Sequence, residues 1–171
     1  MPPAQPVVEI LDVSKSYAEG DAVREVLSNV RLTLHAGEFV VLLGRSGSGK
    51  STLLNLISGI DLPSQGTVRV EGRELVTLSE HERTLLRRER IGFIFQAFNL
   101  LPTLTVEENI LLPLELTGRE GPESRDRVRE LLDQVGLPAS AAQKYPHEFS
   151  GGMRQRAVIA IAIANDPDLI I

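Results

Sequence analysis

The segment GRSGSGKST, Gly44 to Thr52, constrains this chain more than any other, because it lies between five apolar residues and a run with the composition of a helix. It satisfies the pattern G-x-x-x-x-G-K-[ST] through Gly44, Gly49, Lys50 and Ser51. Glycines let the backbone curl until several N–H groups point at phosphate oxygens, and the start of a helix adds its positive dipole end. A plain turn before a helix gives no reason for the lysine and the serine. The segment therefore predicts a phosphate-binding loop, in which Lys50 reaches the β- and γ-phosphates of a nucleotide and Ser51 ligates Mg²⁺.

The composition is that of an ordinary globular domain, with 171 residues, 42% hydrophobic and 24% charged. The net charge of −5 argues against a nucleic-acid partner. The absence of cysteine excludes disulfides, thiol catalysis and thiolate metal sites. The longest apolar run, Ala157 to Ala164, is too short to span a membrane, and the N-terminus MPPAQPVVEI is unlike a signal peptide. We expect a protein that is made and kept in the cytoplasm.

The first half of the chain predicts strands separated by turns and two helices. A helix over Leu53–Ser58 continues from the loop and is capped by Gly59, and Ser79 with Glu82 forms a capping box for a helix to about Glu89. Apolar alternation or apolar runs predict strands over Val7–Val13, Ala22–Leu27, Val30–Leu34, Phe39–Leu43, Thr67–Val70 and Ile91–Phe95. The Phe39–Leu43 run has no polar face, so it predicts a strand buried on both sides of a mostly parallel sheet.

After Gln96 the pattern becomes helical. Thr105 and Glu108 form a second capping box, opening a helix that Pro113 limits or kinks, and another helix ends near Val135. The segment from about Ala97 to Phe149 therefore predicts a helical insertion in an α/β core. A further helix over Gly152–Ala164 leads to a strand that begins at Leu169.

A second glycine motif, FSGGMRQR from Phe149 to Arg156, also opens a helix. With the phosphate loop, this motif resembles the signature of the nucleotide-binding domains of ABC transporters, usually LSGGQ. The loop resembles the Walker A motif of that family, and Gln96 after the strand IGFIF resembles its Q-loop glutamine. The segment IGFIFQAFNLLPTLTVEENILLPLELTG is similar to the branch that pairs with FtsX-like permeases, which includes lipoprotein-release and macrolide-export ATPases. The resemblance covers about Val7 to Ile171.

The resemblance implies a fold and a set of site residues. The fold is an α/β P-loop NTPase core with an N-terminal antiparallel β subdomain and an inserted α-helical subdomain. Tyr17 would stack on adenine, and Gln96 would contact Mg²⁺ or the attacking water, with Lys50 and Gln96 as the catalytic residues. Ser150, Gly151 and Gly152 would bind the γ-phosphate of ATP held by a second subunit, in a head-to-tail dimer that sandwiches two ATPs. The remaining ATP-binding residues would be those of the loop: Gly44, Arg45, Ser46, Gly47, Ser48, Gly49, Lys50, Ser51 and Thr52.

The signature departs from the family pattern at two positions. Phe149 replaces the usual Leu, one apolar side chain for another, and we expect a mild effect. Met153 replaces the usual Gln and removes a polar side chain near the dimer interface, which we expect to weaken contacts to nucleotide. The backbone N–H donors of Gly151 and Gly152 are unaffected.

The 171 residues contain no candidate for two carboxylates, an Asp and a catalytic Glu, that the family places at the C-terminal end of a buried strand. A P-loop hydrolase holds Mg²⁺ through such an acid, but Asp168 lies at the start of the predicted strand and the sequence stops at Ile171. His35, His81 and His147 all precede the signature, so none matches the switch histidine of the family. We interpret the chain as C-terminally truncated before the Walker B carboxylates, and we expect these residues to bind ATP but to hydrolyse it very slowly.

The sequence thus predicts an incomplete ABC ATP-binding domain, with a β subdomain and P-loop core over about 7–96, a helical subdomain over about 97–149, and the signature helix and the start of the Walker B strand over 150–171. We expect an ATP-binding subunit whose full-length form drives an integral membrane permease, in export or lipoprotein release, from the inner face of the cell membrane. Two alternatives stay open: an ATP-gated module of a non-transporting, cell-division type complex, and a binding-only fragment. A P-loop kinase explains the glycines after Ser150 least well.

Overall fold

A computed structural model of the protein describes residues 6–20 and 22–171. The chain forms two compact units, the first extending to Arg87 and the second running from Arg88 to Ile171. Their boundary lies inside a predicted helix and differs from the subdomain limits that the sequence suggests, which stay predictions.

The first unit is built on a four-stranded antiparallel sheet with the strand order β2-β1-β3-β4. The strands are β1 Val8–Glu19, β2 Ala22–Leu34, β3 Gln65–Val70 and β4 Arg73–Glu74. In β1, Val8 and Ile10 alternate with more exposed residues and are fully buried, as are Val68 and Val70 in β3. This alternation of period two gives the sheet one buried face.

The two strands predicted over Ala22–Leu34 are in fact one strand. β2 stays paired with β1 along its length through register shifts around Val13 and Lys15. Asn29 absorbs the irregularity with a φ of 47°, and its N–H donates to the Ser14 hydroxyl at 3.0 Å. A bulge of this kind bends a strand without ending it, so the polar residues near Asn29 do not mark a break.

The prediction of a buried strand over Phe39–Leu43 is wrong. The turn at His35–Glu38 forms as predicted, with the Glu38 N–H donating to the His35 carbonyl at 3.2 Å. The next five residues are irregular and exposed, and Phe39 has 92% of its surface accessible. A strand is buried on both faces only inside a sheet, and in the described part of the chain no strand pairs with this segment. Its apolar composition alone does not produce the pairing.

The helices that begin in the first unit follow their local signals. Helix α1 spans Lys50–Ile57 and ends before Gly59, whose φ of 66° is the left-handed conformation expected of a residue past a helix end. Helix α2 spans Glu80–Arg90. The Ser79 N–H donates to Glu82 Oε2 at 2.7 Å and the Glu82 N–H donates to the Ser79 hydroxyl at 3.3 Å, which confirms the predicted capping box.

The second unit is mainly helical. Its elements are β5 Ile91–Gly92, α3 Val106–Leu116, α4 Pro122–Gln134, α5 Gly151–Ala162 and β6 Leu169–Ile170. The strands pair in parallel, and the Ile94 N–H extends the ladder by donating to the Ile171 carbonyl at 2.8 Å. The strand predicted over Ile91–Phe95 is therefore present but shorter.

One apolar core joins the helices of the second unit. Its members include Val106 and Ile110 of α3, Leu131 of α4, and Ala157 and Ala160 of α5, all with no exposed surface. The predicted helical segment and the signature helix thus share a core. The fold is an α/β arrangement with an antiparallel β part and a helical part, as the sequence predicts.

Pro113 does not end α3, which continues to Leu116. The Pro113 carbonyl accepts hydrogen bonds from the buried Asn165 side chain at 3.0 Å and from the Thr117 hydroxyl at 3.1 Å. These side chains therefore support the turn around the proline. None of the helices in the described ranges is long and apolar enough to cross a membrane.

Candidate nucleotide-binding site

The loop between Gly44 and Lys50 has glycine where its backbone conformation or a close neighbouring atom disfavours a side chain. Gly47 and Gly49 have φ of 79° and 88°, in the left-handed region that side chains with a Cβ disfavour. A Cβ at Gly44 would collide with the Ser48 hydroxyl, and a Cβ at Gly49 would lie 2.8 Å from Leu27 Cδ2. The loop is therefore tightly curled and packed against β2.

The start of α1 carries an uncompensated positive end. Its N-cap is Gly49, which has no side chain to cap the helix, and its first turn contains no acidic residue. The first N–H groups of a helix have no partner inside the helix, so they favour an anion in front of them. The Lys50 ammonium adds a positive charge there, donating to the carbonyls of Gly44 and Arg45 at 2.8 Å each. This is the arrangement expected of a phosphate cradle.

A cavity of about 360 Å³ opens at this cradle. It brings together seven residues that the sequence predicts for ATP binding: Tyr17, Ser46, Gly47, Gly49, Lys50, Ser51 and Thr52. Sequence reasoning missed three further lining residues, Glu19, Arg24 and Val26. They come from the hairpin of β1 and β2, and no local motif marks them. Gly44, Arg45 and Ser48 shape the loop without lining the cavity, with the Ser48 N–H donating to the Arg45 carbonyl at 3.2 Å.

Tyr17 lies in β1 opposite Arg24 of β2, with 37% of its surface exposed. Its hydroxyl donates to Asp61 Oδ2 at 2.8 Å, and the Lys15 ammonium lies 4.8 Å from the centroid of its ring. Burial raises the pKa of the Tyr17 phenol, and the bond to Asp61 adds to that rise. The phenol thus stays protonated and can donate this bond. Sequence reasoning missed Lys15 and Asp61.

Gln96 belongs to the second unit, where it lies exposed after β5. The chain behind it turns through Phe98 and Asn99, which have φ of 61° and 52°. The buried Asn109 of α3 fixes the segment that follows, accepting from the Leu101 N–H at 2.8 Å and donating to the Leu101 carbonyl at 3.1 Å. Gln96 is thus at the base of an ordered loop.

The signature residues form the exposed start of α5. The Ser150 hydroxyl caps the helix by accepting from the Met153 N–H at 3.3 Å, as expected of an N-cap serine. Gly151 and Gly152 are exposed, and a Cβ at either would meet no atom of the described residues within 4 Å. Phe149 is 3% exposed and Met153 packs against the same core, so both departures from the family pattern serve the helical core.

One side-chain oxygen at the cradle, the hydroxyl of Ser51, suits a Mg²⁺ ion as a ligand. Ser51 is exposed in the first turn of α1 and lines the cavity, and hydroxyl oxygen suits this hard cation. Among residues 6–20 and 22–171 there is no cluster of three or more His, Cys, Asp or Glu that could hold a metal. Phosphate oxygens and Ser51 would therefore supply the ligands on this side.

Known proteins match this chain over most of its length. The family model described as ABC transporter matches residues 27–171. The lipoprotein-releasing system ATP-binding protein LolD of Pseudomonas syringae is 49% identical over 166 residues, which are 96% of this chain and 72% of that protein. An ABC transporter ATP-binding protein of Mycobacterium tuberculosis is 47% identical over 167 residues, 98% of this chain and 67% of that protein.

A solved structure of similar fold is the dimeric, post-hydrolysis state of the ATP-binding cassette MJ0796 bound to ADP and Pi. It is 43% identical, with a TM-score of 0.86 over 95% of this chain and 72% of that chain. The glycine-rich loop before α1, the helix that begins after Ser150 and these matches all point to the same family. The chain belongs to the ABC transporter family, as an ATP-binding domain.

Proposed function

We propose that this protein binds ATP with Mg²⁺ and couples its binding and hydrolysis to a membrane permease, in export or lipoprotein release. The similarity to LolD, which is named for a lipoprotein-releasing system, supports a role in export or lipoprotein release. The permease would hold the protein at the cytoplasmic face of the membrane. The observation that carries the proposal is the uncapped start of α1 facing a cavity that also contains Lys50 and Tyr17.

Lys50 is the residue on which phosphate binding depends most. An ammonium group has three N–H donors, and in the described structure two of them bond to loop carbonyls. The third is available to a β- or γ-phosphate oxygen. The two carbonyl bonds also hold the loop curled, so Lys50 both shapes the cradle and supplies its charge.

Tyr17 and Ser51 divide the remaining contacts to the nucleotide. The Tyr17 ring offers a flat apolar face on the cavity, on which adenine would stack. The Ser51 hydroxyl would ligate Mg²⁺, which neutralises phosphate charge when bound. The roles of Gln96 at the metal or the attacking water, and of the other loop residues, stay predictions from the resemblance.

We also propose that two copies assemble head to tail, with Ser150, Gly151 and Gly152 of one copy contacting the γ-phosphate held by the other. The exposed glycines support this, since a Cβ at either position would meet no atom of residues 6–20 or 22–171 within 4 Å. The dimeric state of the MJ0796 cassette is consistent with it.

We propose no metal or catalytic role for Asp168. It lies at the beginning of β6, where its carboxylate pairs with Arg90 at 3.1 Å, and a P-loop hydrolase holds Mg²⁺ with an acid at the carboxyl end of a strand.

The test is Mg·ATP binding by calorimetry, with phosphate release measured in parallel, on the protein and its Lys50→Ala variant. Lys144→Ala is the matched control, because Lys144 is an exposed lysine that does not line the cavity. Loss of charge-assisted bonds predicts a roughly 10- to 100-fold rise in Kd for Lys50→Ala and no change for the control.

Each outcome bears on a different part of the proposal. Binding that Lys50→Ala leaves intact would refute the cradle. Lys50-dependent binding without any Lys50-dependent phosphate release would instead refute hydrolysis by this protein while leaving ATP binding in place.

A further inference from the structure

A polar network behind the Tyr17 ring links it to α1. The Lys15 ammonium donates to Asp61 Oδ1 at 2.6 Å and to the Leu62 carbonyl at 2.8 Å, across 46 residues of sequence for the first bond. The second carboxylate oxygen of Asp61 accepts from the Tyr17 hydroxyl at 2.8 Å. Asp61 thus uses both of its oxygens to join a cation to the phenol.

The same cation also contacts the ring. Lys15 Nζ is 4.8 Å from the ring centroid, within the range of a cation–π interaction. An aromatic ring has two faces, and a base can stack only on one that is free. With the ammonium on one side and the hydroxyl held at the edge, the ring has a restrained orientation and a single face left for stacking.

Asp61 is itself placed by the helix that carries the phosphate loop. The N–H groups of Ile60 and Asp61 both donate to the Asn55 carbonyl of α1, at 3.0 and 3.1 Å. The Leu62 N–H donates to Asp61 Oδ1 at 2.7 Å. α1 therefore begins at the cradle with Lys50, and the segment just past its other end supports the ring of Tyr17.

The network is ionised and partly shielded from water. Burial alone would raise the pKa of Asp61, but the bonds from Lys15, Tyr17 and the Leu62 N–H outweigh it and leave the pKa below its usual value. The side chains of Lys15 and Asp61 are 12% and 29% exposed. Removing either charge leaves its partner partly buried without a counter-ion.

We propose that Lys15 and Asp61 are positioning residues for the nucleotide base: they hold the Tyr17 ring in the orientation that stacks on it. This inference rests on the proposed function. A restrained ring loses less conformational freedom when the base binds. The nucleotide therefore binds more tightly to it than to a freely rotating ring. If the Lys15–Asp61 pair only tied β1 to the segment after α1, its removal would weaken the binding of the base and the binding of the phosphates equally.

The experiment compares two probes, Mg·ATP and Mg·tripolyphosphate, since the second has the phosphates but no base. Calorimetry gives Kd for both with the wild type and with Asp61→Asn, Lys15→Met and Tyr17→Ala. Tyr17→Ala sets the full contribution of stacking, and Tyr17→Phe retains the ring and the Lys15 contact without the bond to Asp61. Thermal melting of each variant reports its folding.

We expect Asp61→Asn and Lys15→Met to raise the Kd for Mg·ATP about 5- to 10-fold, the size of one base–aromatic contact, and Tyr17→Ala at least as much. The Kd for Mg·tripolyphosphate should stay within about twofold. In the Tyr17→Ala background, Asp61→Asn should add nothing, because a positioning residue acts only through the ring.

Three results would overturn the inference. An equal loss for both probes would assign the pair a structural role, and no loss for either would show that the ring needs no support. If the wild type binds Mg·ATP no more tightly than Mg·tripolyphosphate, Tyr17 does not stack on the base, and the inference fails while the cradle stands. Failure of the cradle is recognised separately, because neither probe would then bind in a Lys50-dependent way.

Discussion

Two helices of this protein begin at glycine-rich segments, and they begin differently. α1 starts after Gly49, which has a φ of 88° and leaves the first N–H groups without a side-chain cap. α5 starts after Ser150, whose hydroxyl caps the Met153 N–H. In the first loop a Cβ at Gly44 or Gly49 would collide with neighbouring atoms, whereas a Cβ at Gly151 or Gly152 would meet none within 4 Å.

The difference separates two reasons for glycine. At α1 the residues are glycine because the loop cannot otherwise curl, so its geometry is complete within the chain. At α5 no neighbouring atom in the described part of the chain requires glycine. Such a position is explained by close approach of something outside the chain, which agrees with the proposed contact to nucleotide on a second subunit.

Gly49→Ala should have the largest effect on stability. A left-handed φ costs an alanine about 1–2 kcal/mol, and the contact with Leu27 adds overpacking of about 1–3 kcal/mol. Gly47→Ala is the matched control, since Gly47 has a φ of 79° but no described atom within 4 Å of its Cβ position. It should lower the free energy of unfolding only by the cost of the left-handed φ. Urea unfolding measures both. Equal losses at the two positions would show that packing against β2 is unimportant.

Ser150→Ala should cost about 1 kcal/mol, the usual contribution of an N-cap, and lower Tm by about 2–4 °C. Ser150→Thr retains the hydroxyl and should restore most of the loss. Thermal melting followed by circular dichroism gives the comparison. A Tm that Ser150→Ala leaves unchanged would mean that the bond to Met153 does not stabilise α5.

Gly151→Ala should weaken assembly of two copies without lowering the stability of the folded chain. With open space and no positive φ at this position, alanine should leave stability unchanged or raise it by up to about 1 kcal/mol, since alanine favours helices. ATP-dependent self-association, measured by sedimentation velocity, should nevertheless weaken. Gln155→Ala, at an exposed position one turn further along α5, is the control. Undiminished association of Gly151→Ala would remove the argument that this glycine faces a partner.

Met153→Gln should have the smallest effect. The side chain is half-buried against the helical core, so an uncharged side chain of similar length should change the free energy of unfolding by about 0.5 kcal/mol. Sedimentation velocity with ATP then tests whether the polar group usual in the family strengthens the dimer. Weaker association of Met153→Gln than of the wild type would contradict the expected direction.

Local signals in the sequence predicted local structure well. The capping boxes at Ser79 and Thr105 formed, because a side chain and a backbone N–H three residues apart meet in any helix start. The glycine-rich loop before α1 is curled as predicted for a different local reason, because Gly47 and Gly49 adopt a positive φ. Phe39–Leu43 was mispredicted, because burial of a strand depends on neighbours that composition does not supply.

By itself, the sequence indicated the family, through motifs spread over most of the chain. It also predicted the glycine-rich loop, the helix starts and the alternating strands, since each of these depends on residues a few positions apart. Only the tertiary structure decided which distant side chains meet. It kept β2 continuous through the bulge at Asn29, and it placed Lys15 and Asp61, 46 residues apart, behind the ring of Tyr17. The physical reason is that a hydrogen bond or ion pair between distant residues forms only after the sheet and α1 have fixed both positions.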